Sequence, residues 1–310
     1  VGEAAVELVE RLRQAGFKAA IVPVGHLEQL KTEIDGLLSR GFLDRTFHTE
    51  RLTFFESEPP DGLEQPRSII ITAARQPKMR VRFTWRGRTY PAIIPPTYSL
   101  ATDEQARVAI EAVIKPAGYR MAQSLLPAKA LAGHAGLIEY GRNNVTYAGS
   151  WGSFFRLKAF YSDLPPAGDP WQGFEVMDEC EQCGACIPAC PTGAIDPERF
   201  LLQAERCVCY LNEGEADFPQ WLDPSWHNCL VGCMLCQDVC PANKTHVDWI
   251  VEGVDFSEAE TAVILEGASG DEVPASLIAK LDSIDMWWGE CATIGRNLRV
   301  LIIKADRLSA

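Results

Sequence analysis

The sequence predicts an α+β protein in three parts: an α/β core, a compact cysteine-rich module and a helical C-terminal segment. Three observations predict it. Helix-like and strand-like periods alternate through residues 3–161. Ten of the eleven cysteines crowd into 180–241. After Asn243 the apolar spacing turns helix-like, with an acidic turn near 267–272. The parts are expected at 1–170, 171–250 and 251–310.

The elements follow in order. Residues 3–15 read as a helix ended by Gly16, with Val6, Val9 and Leu12 at helical spacing. A short strand is expected at 18–24 and a second helix at 26–39, stopping near Gly41. Residues 56–66 form a polar, proline-rich loop. The run SIIITAA at 68–74 is apolar throughout and bounded by turns, which marks a buried strand. Residues 79–85 and 89–94 make a hairpin across Arg86, Gly87 and Arg88. Thr102 and Gln105 suggest a capping box for a helix through Ile114. A further helix is expected at 127–135, and strands at 144–148 and 154–161. Pro165, Pro166, Gly168, Pro170 and Gly173 make 162–175 the best linker.

The cysteine window opens with Cys180-x2-Cys183-x2-Cys186-x3-Cys190-Pro191, passes Cys207 and Cys209, and closes with Cys229-x3-Cys233-x2-Cys236-x3-Cys240-Pro241. The first run has the bacterial ferredoxin spacing for a 4Fe–4S cluster, and the motif occurs twice. Two-residue gaps let one tight loop bring three thiolates to three iron corners. The fourth cysteine points to the other cluster of a pair. A disulfide framework belongs to short secreted chains. Zinc needs neither the third closely spaced cysteine nor the Cys-Pro ending. The spacing Cys229-x3-Cys233-x2-Cys236 also mimics radical-SAM enzymes, but those need far more chain than follows Cys236.

With 47% hydrophobic and 23% charged residues the composition is that of a soluble globular protein. No apolar run reaches the length of a membrane helix. Clustered free cysteines favour a reducing compartment, so a cytoplasmic location is expected; the start at Val1 leaves export through a removed leader open. Oligomeric state is not readable. The net charge of −13 argues against a nucleic-acid footprint. Arg80, Arg82, Arg86 and Arg88 read as the solvent face of the hairpin, with anion binding as the alternative. No G-x-G-x-x-G, phosphate loop, nucleophile elbow or D-x-H-x-x-G run is present.

Several segments carry a resemblance. AGLIEYGRNN at 135–144, GSWGSFFRLKAFYSDLPP at 149–166, CEQCGACIPACPTGAI at 180–195, ERCVCYL at 205–211 and GCMLCQDVCPANK at 232–244 together resemble epoxyqueuosine reductases, and in part reductive dehalogenases. The resemblance implies a nitroreductase-like core, two 4Fe–4S clusters and a bound cobalamin. It also implies an external electron donor such as ferredoxin or flavodoxin. One cluster would be held by Cys180, Cys183, Cys186 and Cys240, the other by Cys190, Cys207, Cys233 and Cys236. Cys229 is the alternative to Cys207, and Cys209 is spare. Tyr140 is the candidate proton donor, with Arg142 and Arg156 as anion contacts. Packing for Tyr140 and carboxylate pairing for the arginines are the competing readings. Gly141, Asn143 and Ser153 are expected at the cofactor. Arg156 tilts the match toward dehalogenases. Residues 121–127 lack the acid that the relatives carry there, and no C-terminal repeat domain follows. With the negative charge, these departures predict a small-molecule substrate and no tRNA. An electron carrier docking a partner, or a core holding flavin or another tetrapyrrole, are the alternatives. His134 is expected to pack or cap rather than bind cobalt, Asp163 to cap a turn, Trp287 and Trp288 to anchor the core or an interface, and Cys291 to be a small buried hydrophobe.

Overall fold

The computed structural model describes every residue except Val1, Phe54, Glu56, Ser57, Glu64 and Ala310. Part of the expected loop at 56–66 therefore lies outside the described residues. The chain opens with α1 (Glu3–Gln14), β1 (Phe17–Pro23), α2 (His26–Ser39), α3 (Arg45–Arg51) and β2 (Ser68–Arg75). The hairpin is β3 (Lys78–Trp85) and β4 (Arg88–Ile94). Next come α4 (Ala101–Ile114), β5 (Met121–Gln123), α5 (Ala128–His134), the short pair β6 (Glu139–Tyr140) and β7 (Thr146–Tyr147), and β8 (Phe155–Ser162). The cysteine stretch contributes single turns, α6 (Cys180–Cys183), α7 (Cys186–Ala189), α8 (Val208–Glu213) and α9 (Leu235–Asp238). Beyond it lie β9 (Ile250–Phe256), α10 (Glu258–Glu266), α11 (Ala275–Asp282) and α12 (Ala292–Ser309).

The residues divide into two compact units. The first takes residues up to Gln76, Leu100–Gly184 and Glu198–Leu201; the second takes Pro77–Ser99, Ala185–Pro197 and the rest from Leu202. These boundaries differ from the three parts expected from sequence. The hairpin β3–β4 belongs with the C-terminal residues. The presumed linker is no linker either: Leu164 is buried, Trp171 stacks between His26 and His134, and Tyr140 bridges to Val176. Proline and glycine mark irregular backbone, but irregular backbone can still pack.

The first unit is built on an antiparallel sheet in the order β1-β2-β8-β5. Strand β2 explains its own composition. Ile70 and Ala74 face one apolar cluster with Leu8, Leu12, Ile110 and Ile114; Ile69, Ile71 and Ala73 face another with Leu30, Leu131 and Ala132. Helices cover both faces, so no polar alternation is needed. The core-facing stripe of α1 is Ala5, Leu8 and Leu12, while Val6 is 62% exposed. Of the expected stripe, Leu12 is fully buried and Val9 packs against the same cluster, while Val6 alone turns outward. The capping box at Thr102 does not form: its hydroxyl donates to Gln76 Oε1, 3.1 Å away.

The second unit carries the three-stranded sheet β4-β3-β9, in which β9 runs parallel to β3. The C-terminal part was expected to be helical; β9 corrects this. Its carboxylates meet the arginines of β3. Arg80 pairs with Glu252 at 2.8 Å, and Arg82 pairs with Glu252 and Asp255. Arg88 pairs with Asp306. The hairpin arginines thus face carboxylates of the same chain. Helices α10, α11 and α12 close the core through Ile264, Leu277, Leu281, Ile294 and Leu298, with Cys291 fully buried among them. Among the described residues no helix is long and apolar enough to cross a membrane.

Candidate metal centre

In the second unit the structure gathers four of the predicted ligands. Every pair among Cys190, Cys207, Cys233 and Cys236 interacts electrostatically, and Cys186 reaches Cys236. Cys207 caps α8, and the backbone N–H groups of Cys209 and Tyr210 point at its sulfur. Burial pushes the Cys207 thiol up to about 12, against those N–H donors. Burial also raises Cys233 and Cys236, while Asn228 and the Leu235 N–H pull Cys233 down. Burial therefore keeps Cys207, Cys233 and Cys236 as thiols until a cation replaces their protons. The donor set fits an iron–sulfur cluster: soft sulfur ligands, mutually close, with N–H groups aimed at them. Among the described residues no three His, Cys, Asp or Glu side chains are placed to hold a single metal ion. A cluster asks for a wider cage, because its thiolates bind separate iron corners.

The two spare cysteines sit differently. Cys209 donates to Glu213 Oε1 at 3.2 Å, beside the Tyr98 hydroxyl, which also bonds Glu213. Cys229 is buried and donates to Asn228 Oδ1 at 3.1 Å, with Cys233, Asp238 and Lys78 as its main charged neighbours. The structure thus separates Cys207 from Cys229.

In the first unit, Cys180 and Cys183 lie on α6; Cys186 and Cys240 fall in the second unit. The Arg142 N–H reaches Cys180 Sγ at 3.5 Å, and its Nε and Nη2 donate to the Cys180 carbonyl at 3.3 and 3.2 Å. Arg142 therefore ties the β6–β7 turn to the start of the cysteine stretch. Tyr140 packs edge-on to Phe174 and Phe200, and burial pushes its hydroxyl up to about 12. Its backbone pairs with Glu175 and Met177. Arg156 contradicts the anion-contact expectation: its guanidinium is bidentate on Asp103 of α4, at 2.6 and 2.8 Å. Sequence reading passed over Asp103 because the pair is 53 residues apart.

Two of the residues expected at cobalamin, Gly141 and Asn143, make contacts within their own hairpin. A Cβ on Gly141 would meet Asn143 Oδ1 and Tyr147 Cε2 at 2.6 Å, so the glycine makes room for its own hairpin. The Asn143 amide donates to the Tyr147 hydroxyl and accepts from the Val145 N–H. Ser153 is buried. His134, as expected, packs: it bonds the Gln172 carbonyl and Glu33 and stacks on Trp171. Asp163 accepts from the Arg120 N–H at its turn.

Comparison with known proteins now adds to this geometry. Residues 179–243 match the family described as a 4Fe-4S double cluster binding domain. The epoxyqueuosine reductase of Pseudomonas aeruginosa is 37% identical over 145 residues, 46% of this chain and 39% of that protein. That of Escherichia coli K12 is 38% identical over 156 residues, 45% and 40%. The chain is thus similar to epoxyqueuosine reductases over less than half of its length. It spans about two fifths of the length of the curated relatives it matches. Among solved structures, an epoxyqueuosine reductase with a tRNA-Tyr epoxyqueuosine-modified stem loop matches 98% of this chain and 82% of its own, with a TM-score of 0.67 and 20% identity. The Streptococcus thermophilus epoxyqueuosine reductase matches 97% and 81%, with a TM-score of 0.65 and 17% identity. The fold is therefore the core and double-cluster module that the resemblance implied. The expectation of no tRNA is corrected: a protein of this fold has been solved with a tRNA stem loop. Net charge sums over the whole surface, whereas a nucleic acid meets only a patch of it.

Proposed function

We propose that the chain is an iron–sulfur reductase acting on an epoxyqueuosine-modified tRNA. The observation that carries this reading is the 37–38% identity with epoxyqueuosine reductases over 145–156 residues. The double-cluster domain supports the redox half. Eight cysteines, Cys180, Cys183, Cys186, Cys190, Cys207, Cys233, Cys236 and Cys240, hold two 4Fe–4S clusters, with Cys207 preferred over Cys229 on the grouping of the thiols. Held by these thiolates, two clusters would pass electrons one at a time from a donor such as ferredoxin or flavodoxin toward the two-electron reduction of the substrate. Tyr140 lines an aromatic surface with Phe174 and Phe200, and burial keeps its hydroxyl protonated, so it stays the candidate proton donor. No step is assigned to cobalamin; of the residues named for it, Gly141 and Asn143 make contacts within the hairpin.

The test is turnover of a modified stem loop by anaerobically reconstituted chain with a chemical reductant, with and without added cobalamin. Loss of one oxygen from the nucleoside, read by mass spectrometry, supports the proposal. Clusters that are reduced and reoxidised with the nucleoside unchanged, under both conditions, would overturn it in favour of an electron carrier.

A further inference from the structure

We propose that Asn228 is a positioning residue for the cluster held by Cys190, Cys207, Cys233 and Cys236, and that Cys229 is the thiol that fixes its amide. This rests on the ligand assignment above. The Asn228 Nδ2 donates to Cys233 Sγ at 3.1 Å and to the Trp226 carbonyl at 3.2 Å. Its Oδ1 accepts from the Met234 N–H at 2.8 Å and from Cys229 Sγ at 3.1 Å. The amide cannot be turned round. A backbone N–H only donates and a backbone carbonyl only accepts, so the two fix oxygen and nitrogen on their sides. The NH₂ is thereby committed to the ligand sulfur.

The loop that carries this bond is braced from several sides. The Leu230 N–H donates to the Ile93 carbonyl at 2.8 Å, Asn297 donates to the Leu230 carbonyl at 2.9 Å and Asn212 to the Gly232 carbonyl at 2.9 Å. Gly232, at φ +67°, lies under the Tyr98 ring, where a Cβ would come within 2.9 Å of three ring and hydroxyl atoms. A hydrogen bond held this firmly does more than fill space. Donation to a cluster thiolate draws negative charge off the sulfur and favours the reduced, more negative cluster, which raises its potential. It also gives the eleventh-hour cysteine of the Cys-x3-Cys spacing a role other than ligation: Cys229 completes the acceptor side of the amide.

The experiment is a potentiometric titration of the reconstituted full chain, read by electron paramagnetic resonance, with iron analysis of each variant. N228D keeps the shape and removes the donor, so one midpoint potential falls while the other stays and both clusters' iron is retained. N228A shifts the same potential the same way; where N228A loses iron, N228D decides. C229A gives a smaller fall, and C229S, whose hydroxyl still donates, stays near wild type. Full iron with unmoved potentials in N228D overturns the proposal and leaves the ligand assignment standing. Half the iron lost in C229S makes Cys229 a ligand and overturns both.

Discussion

Arg156 in the first unit and Cys207 in the second are both ionisable and largely buried, yet their surroundings are opposed. Arg156 meets Asp103 in a bidentate pair, with Lys158 3.9 Å from the same carboxylate. Cys207 meets Cys190, Cys233 and Cys236, groups that would share its charge sign. The first arrangement satisfies a charge inside the protein. The second suppresses it, and becomes stable with charge only around a shared cation. Unmatched like ligands, more than the presence of charged residues, separate the metal centre from a structural network in this chain.

The sharpest way to break the contrast is to remove one member of each set. C207S is expected to lose half the iron of the reconstituted chain, while C209S keeps it, because Cys209 is bonded to Glu213. Iron and sulfide analysis reads both. Equal loss in the two variants would mean that α8 as a whole, and not the Cys207 sulfur, holds the cluster. In the first unit, D103A removes the carboxylate that the half-buried Arg156 guanidinium meets. A cost of about 3–5 kcal/mol is expected from urea unfolding. The paired variant D103L/R156M should cost far less, since it removes both charges. If D103A is neutral, the pair is not the internal match drawn here.

How much of this was legible in sequence follows the same division. Cysteine spacing is local: the 11 residues from Cys180 to Cys190 already space three thiolates for one cluster and a fourth for its partner, and the motif could be read without the fold. The buried strand at β2 was legible because six consecutive small or apolar residues leave little else. The partners of Arg142, Arg156 and Asn143 were not. Arg156 and Asp103 join α4 to β8, and no period or spacing signals such a pair. Strand β9 was missed for a similar reason. IVEGVDF has polar residues where a strand needs them only because β3 offers arginines opposite.

A pH test extends the comparison to a single buried group. His227 is 1% exposed, and burial, then Arg296 and Lys304, lower its pKa to about 4. The folded state keeps the ring neutral where the unfolded chain, near 6.5, would protonate it. Between those values the unfolded state binds more protons, so stability falls as pH drops from about 6.5 to about 4, by about 3 kcal/mol in all. H227Q should flatten that segment of the curve. Because cluster loss in acid affects both proteins alike, the difference between them is the quantity to read. An unchanged slope in H227Q would place the acid sensitivity elsewhere.

The smallest effect tests whether the β6–β7 turn is rigid. G141A would place a methyl 2.6 Å from Asn143 Oδ1 and Tyr147 Cε2, a crowding worth about 1–3 kcal/mol. The strain has one route of relief, since Asn143 can move only by giving up the Val145 N–H and the Tyr147 hydroxyl. N143A alone loses those bonds, and G141A in that background gains the space they occupied. The two substitutions should therefore cost less together than their sum, by about 0.5 kcal/mol or more in a double-mutant cycle. Strict additivity would show that the hairpin yields elsewhere. In that event the Arg142 N–H would shift from Cys180 as well.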